Sequence, residues 1–161
     1  MEALISPMLW FAVISVGLMA GVYFTFSAFL MRSLDAIEAP VGMIAMQSIN
    51  RVIVKSLFLP IFFASSAVCA ALTILALLDL SAAGAVWMLI GSATYVVGMF
   101  FVTVAGNVPL NNQLEATPAD GPEGATMWRR YLSKWTAWNH VRTAACTMSL
   151  AMLIVSISAR G

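Results

Sequence analysis

The stretch LISPMLWFAVISVGLMAGVYFTFSAFL, Leu4 to Leu30, holds no charged residue, and the nearest charges are Glu2 and Arg32. A helix rises 1.5 Å per residue, so about 20 apolar residues cross the roughly 30 Å of bilayer hydrocarbon. This run suffices for one crossing. It begins Met1-Glu2, lacks a basic leader segment and exceeds the length of a signal core, so it reads as a retained span. Three more runs of the same kind follow, at about 56–78, 83–106 and 141–158. Lipid offers backbone groups no partner, so an open chain crosses it as helix. Alternating polarity, the mark of a membrane barrel, is absent.

Composition agrees. Apolar classes make up 61% of the 161 residues and charged ones 9%, where a soluble domain carries about a quarter charged residues. Mean hydropathy is +0.93. A formal net charge of +1 excludes the basic surface that nucleic acid requires. The two cysteines, Cys69 and Cys146, form no CxxC pair and read as small apolar residues. The predicted fold is an all-α membrane protein. It is a four-transmembrane-helix antiparallel bundle, one integral membrane domain over residues 1–161, with interfacial helices in both cytoplasmic loops.

Basic residues set the expected orientation. Arg32, Arg51 and Lys55 follow the first span, and Arg129, Arg130, Lys134 and Arg142 precede the fourth, while Arg160 stands alone on the other side. The asymmetry predicts both long loops in the cytoplasm and both termini outside; the expected location is the cell (inner) membrane. Spans two and three are joined by a tight hairpin at 78–83. Met43, Met46, Gln47, Asn50 and Arg51 recur at helical spacing after a break at Pro40, as in a short interfacial helix. Residues 107–126, with three prolines and two glycines, read as largely loop. From Thr126 the aromatics recur at helical spacing, as in one long helix running into span four.

Small residues at Gly17 and Gly21, and at Gly84, Gly91 and Gly98, predict close helix packing. Pro60, near the start of span two, is a candidate kink. Antiparallel topology brings the entries of spans two and four and the exit of span three to one level. A pocket lined by Asn50, Asn107, Trp138, Asn139, His140 and Arg142 follows. The other reading of these residues is anchoring at headgroup depth. No span holds a carboxylate, and no His pair has metal-ligand spacing, so no metal site is expected. The 11 methionines are scattered, which speaks against a copper site.

Gly21-Val-Tyr-Phe-Thr-Phe-Ser27, Met31-Arg-Ser-Leu34, Met46-Gln-Ser-Ile-Asn50, Asn107-Val-Pro-Leu-Asn111 and Trp135-Thr-Ala-Trp-Asn-His-Val-Arg-Thr143 resemble the anthrone oxygenase-like family of small four-span membrane proteins. Many members are known only as a domain of unknown function. The resemblance covers nearly the whole chain. It implies a monooxygenase that converts anthrones to anthraquinones with O₂ and no metal or flavin, hence no cofactor. The matching positions are Asn50, Asn107, Pro109, Asn111, Trp138, Asn139 and Arg142. In such a reaction His140, the only histidine, is the candidate base. Asn139 and Arg142, with Asn50 and Asn107, would hold an enolate oxygen, and Asn111 belongs to the same binding set. Trp135 and Trp138 would stack on a flat lipophilic aromatic ketone or phenol. The competing expectation is a non-enzymatic module, either an accessory subunit or a small-molecule binder. A homo-oligomer or a membrane protein partner fits either reading, and a transporter would require an oligomer.

Overall fold

The computed structural model describes the backbone of residues 2–161 and the side chains from Leu4 onward. Among these residues there is helix and no strand. Four helices are long and apolar enough to cross a membrane: α1 (Leu4–Asp35), α3 (Phe58–Leu78), α4 (Ala85–Ala116) and α5 (Gly121–Ser158). A short helix, α2 (Ala39–Ile53), joins α1 to α3. The chain is a multi-pass membrane protein. The expected four-helix bundle is present, with α5 packed along both α1 and α4, and α3 against both of them.

Burial follows the solvent. Leu9, Ala12, Val16 and Met19 of α1, Cys69 and Leu72 of α3, Met88 and Tyr95 of α4, and Leu153 of α5 form one core between the four helices. Trp10, Phe11, Ile14 and Leu18 point outward, as lipid-facing side chains do. A second core fills the end carrying most basic residues, called here the basic end. There Met43 and Met46 of α2 pack on Leu110, Leu114, Trp128, Tyr131 and Trp135. These methionines fill space between helices.

The glycine row on α4 is a packing seam. A Cβ on Gly98 would lie 2.5 Å from the Ala145 Cβ, and one on Gly91 would lie 3.0 Å from Leu153 Cγ. Close approach of α4 and α5 thus requires these glycines. The Gly17/Gly21 pair is different from expectation. Gly17 meets only Leu150, at 3.9 Å, and a Cβ on Gly21 would meet nothing within 4 Å. The α3–α4 hairpin closes on Gly84, whose φ of 71° favours glycine, and Ser156 Oγ donates to its carbonyl at 2.9 Å. Asp79 in this turn accepts from Ser81 Oγ at 2.6 Å, a bond that holds its carboxyl below the usual carboxylate range.

Three local expectations are corrected. Pro40 stands in the first turn of α2 and begins that helix rather than breaking it, because no N–H is needed there. Pro60 is likewise in the first turn of α3. Residues 107–116 continue α4 as helix, so the α4–α5 loop shrinks to 117–120. The wide turn at Thr103–Asn107 makes this continuation feasible. It ends just before Pro109, whose ring would clash with the Ala105 carbonyl in a regular α-turn. A similar wide turn spans Phe26–Leu30 in α1. With 38 residues α5 is about 57 Å long, well beyond the ~30 Å hydrocarbon. Its first half therefore projects past the apolar layer and builds the basic end.

Candidate functional site

The site is organised by one stripe of α5. Trp128, Tyr131 and Trp135 follow each other at three- and four-residue steps and stack, with centroids 5.9 and 5.6 Å apart. Asn139 and Arg142 continue the stripe toward the membrane interior, both buried. The neighbours of this stripe enclose a cavity of about 200 Å³ at the junction of α1, α2, α3, α4 and α5. Its wall is mostly apolar, with Phe26 from α1, Met46 from α2, Phe58 and Phe62 from α3, and Val104 from α4. Its polar lining comprises Tyr23, Asn50, Thr103, Asn111 and Arg142, with Trp135 among them.

Arg142 is 4% exposed and has no carboxylate partner. Among the described residues the one ion pair is Arg51–Glu115 at the surface, 2.7 Å between Nη1 and Oε1. A charge at this depth costs several kcal/mol unless it is compensated. Two aromatic faces and one amide provide part of the compensation. The guanidinium carbon lies 4.3 Å from the Tyr23 ring centroid and 5.0 Å from that of Trp135. Nη2 donates to Asn139 Oδ1 at 2.8 Å, and Nη1 reaches Thr103 Oγ1 at 3.4 Å. The buried Nε has no partner. Asn107 Oδ1 and Trp135 Nε1 are also buried and unpartnered. Buried polar groups are normally satisfied, so the free Nε–H of Arg142, a residue of the cavity wall, is a donor without an internal acceptor.

Asn139 holds the arginine in place. Its Nδ2 donates to the Tyr23 carbonyl at 2.8 Å and to Ser27 Oγ at 2.7 Å, just before and within the wide turn of α1. Helix α2 closes the basic end. Tyr131 donates to Asn111 Oδ1 at 2.7 Å and accepts from Asn50 Nδ2 at 3.4 Å, linking α5, α4 and α2. Gln47 Nε2 donates to the carbonyls of Leu114 and Thr117 at 2.8 and 3.2 Å, satisfying the last turn of α4. The mouth of the cavity is lateral. Helix α3 packs on α4 along residues 85–101 but makes no substantial contact with 103–116. The half-exposed side chains of Phe63, Val104 and Val108 frame the gap.

The structure therefore places Asn50, Asn111, Trp135 and Arg142 on the cavity wall. Asn139 stands behind Arg142, and Asn107 binds the Trp135 carbonyl through Nδ2 at 3.2 Å. Two expected members lie elsewhere. His140 is exposed on the α1 side of α5, where Nδ1 lies 2.9 Å from Ser27 Oγ. Trp138 lies across Gly106 in a separate groove on the far side of α4. Both are set off the inward stripe by the 100° advance per residue. Two members were not assigned from sequence. Tyr131, four residues before Trp135, carries the signal of stripe spacing, and Tyr23 lies inside the Gly21–Ser27 motif.

Over residues 53–152, more than half of the chain, the sequence matches the family model described as Anthrone oxygenase. The chain belongs to the anthrone oxygenase family. No curated protein and no solved structure matches it. The family segment contains Thr103, Asn107, Asn111, Tyr131, Trp135, Asn139 and Arg142. The floor of the cavity is thus family sequence, while Tyr23, Ser27 and Asn50 come from the part of the chain before it. Among the described residues, no three His, Cys, Asp or Glu side chains cluster as metal ligands do.

Proposed function

We propose that this chain is a membrane-embedded, cofactor-independent oxygenase of a lipophilic aromatic ketone or phenol of anthrone type. It works in the cell membrane with both termini on the non-cytoplasmic side. One observation carries the reading. A buried arginine without an acidic partner among the described residues, one N–H unused, lines an aromatic-walled cavity with half-exposed apolar side chains at its mouth. An engineered cavity of 150 Å³ holds benzene, so about 200 Å³ holds an aromatic ring. The lateral mouth lets a larger ring system extend outward.

The substrate enters from the bilayer and binds as its enolate or phenolate, its proton having passed to water at the interface. Arg142 pairs with the oxyanion, which lowers the pKa of the bound substrate. The delocalised carbanion carbon then gives electrons to O₂ and forms a C–O bond, and the peroxide takes up a proton. Loss of the second C–H proton with O–O cleavage gives the ketone and water. The balance is CH₂ + O₂ → C=O + H₂O, the carbon losing four electrons and O₂ gaining four. Tyr23, Trp135 and Asn139 orient Arg142, and the apolar wall admits O₂. Because His140 lies outside the cavity, the base role expected for it is not part of this scheme.

The test is ¹⁸O₂ labelling with anthrone and purified protein in lipid vesicles. The oxygenase reading requires one ¹⁸O in the new carbonyl and a rate above that of protein-free vesicles. Tight binding of anthrone with no O₂ uptake above that background would leave the alternative, a small-molecule binder or accessory module built on the same cavity.

A further inference from the structure

On the face of the basic end turned away from the cavity, α4 and α5 leave an open groove of about 250 Å³. One end is cationic. Arg130 and Lys134 stand one turn apart on α5, with Gln113 of α4 opposite. Both cations are exposed, and among the described residues neither has a carboxylate within ion-pair distance. Glu115 is taken by Arg51, and Glu123, which shares a neighbouring groove with Arg130, lies beyond ion-pair distance of it. The other end is apolar. Leu110 and Gly106 form its floor, and the Trp138 indole lies across Gly106, where an added Cβ would meet it at 2.9 Å.

Direction gives the groove its meaning. Helix α5 runs from Arg130 through Lys134 and Trp138 toward the apolar layer, and α4 runs the opposite way. The cationic end therefore projects beyond the hydrocarbon, and the apolar end lies at its edge, where tryptophan concentrates. We infer that the groove is a binding site for one anionic phospholipid. The phosphate sits on Arg130 and Lys134, and the upper acyl chain lies along Trp138 and Gly106. A soluble phosphate would match the two cations but leave the apolar half unused. Basic pockets between spans select acidic headgroups in this way.

The experiment is native mass spectrometry of the whole protein in mild detergent with added phosphatidylglycerol, phosphatidylcholine or inorganic phosphate. One phosphatidylglycerol is expected to stay bound in preference to phosphatidylcholine. Two cations contribute about 1 kcal/mol each, so the Arg130→Gln/Lys134→Gln double variant should weaken retention roughly tenfold to thirtyfold. Arg129→Gln, on the neighbouring exposed position, should leave it unchanged. Because all three positions are exposed, the variants keep the bundle, which helical circular dichroism verifies. Equal retention of the two lipids, an unaffected double variant, or inorganic phosphate bound as tightly as the lipid would each overturn the assignment.

Discussion

The guanidinium of Arg142 lies over the ring of Tyr23 at 4.3 Å, joining α5 to α1 across the bundle core. This pair explains how a cation is kept in an apolar setting without a carboxylate. Aromatic faces attract the charge without neutralising it, so the guanidinium stays available to an incoming anion. An Asp or Glu in the same position would bind it and close the site.

That distinction is testable at Asn139, which accepts from Arg142 Nη2 at 2.8 Å. Asn139→Asp puts a carboxylate against the guanidinium with little change in shape. Affinity for an anthrone-type anion should fall at least about tenfold, read on the folded protein by ligand-induced quenching of tryptophan fluorescence; the thermal midpoint falls as well, because the Nδ2 donor to the Tyr23 carbonyl becomes an acceptor oxygen. Unchanged affinity would show that the arginine does not receive the anion.

Asn139→Ala removes the same donor but places no charge beside the guanidinium. It strips partners from Arg142, the Tyr23 carbonyl and Ser27 at once. Each buried group left unpaired costs roughly 1–3 kcal/mol, so a clear drop in thermal stability is expected. Calorimetry or thermal circular dichroism in detergent reads it.

The two glycine pairs predict opposite responses. Gly98→Ala drives a Cβ to 2.5 Å from the Ala145 Cβ and should destabilise the bundle by about 1–3 kcal/mol. Gly21→Ala meets nothing within 4 Å and should change stability by less than about 1 kcal/mol. Thermal unfolding of the two variants side by side checks this.

Tyr131→Phe removes the hydroxyl that links Asn50 and Asn111. Helix α2 then loses one of its ties to the bundle, while the stack with Trp128 and Trp135 persists. KM for substrate should rise several-fold with kcat little changed. Hydrogen exchange in 39–53 should quicken, and exchange in α5 should not.

The spans were legible because hydropathy alone decides them: no charge interrupts Leu4–Leu30, and lipid allows only helix there. The continuation of α4 past Asn107 was hidden because Pro109 and three asparagines carry loop propensity. What overrides it is tertiary: Gln47 satisfies the last turn, and Leu110 and Leu114 bury against α2 and α5. In the site, helical spacing puts Trp135, Asn139 and Arg142 on one face of α5, and the structure buries all three. Spacing alone does not say which edge of a helix face turns inward, and Trp138 and His140, one to three residues from Trp135 and Asn139, lie outside the buried stripe. Tyr23 was hidden for another reason. Its role depends on a contact with a residue 119 positions away, and a single span gives no sign of such a pairing.

The most direct measurement compares initial O₂ uptake with anthrone in lipid vesicles holding equal amounts of wild type, Arg142→Gln or His140→Ala. Losing a buried oxyanion partner typically costs 10²–10³ in rate, so Arg142→Gln should fall to about the protein-free background. His140→Ala, outside the cavity, should stay within about threefold of wild type. Wild-type uptake no faster than protein-free vesicles, or an Arg142→Gln rate equal to wild type, would contradict an oxygenase built on Arg142.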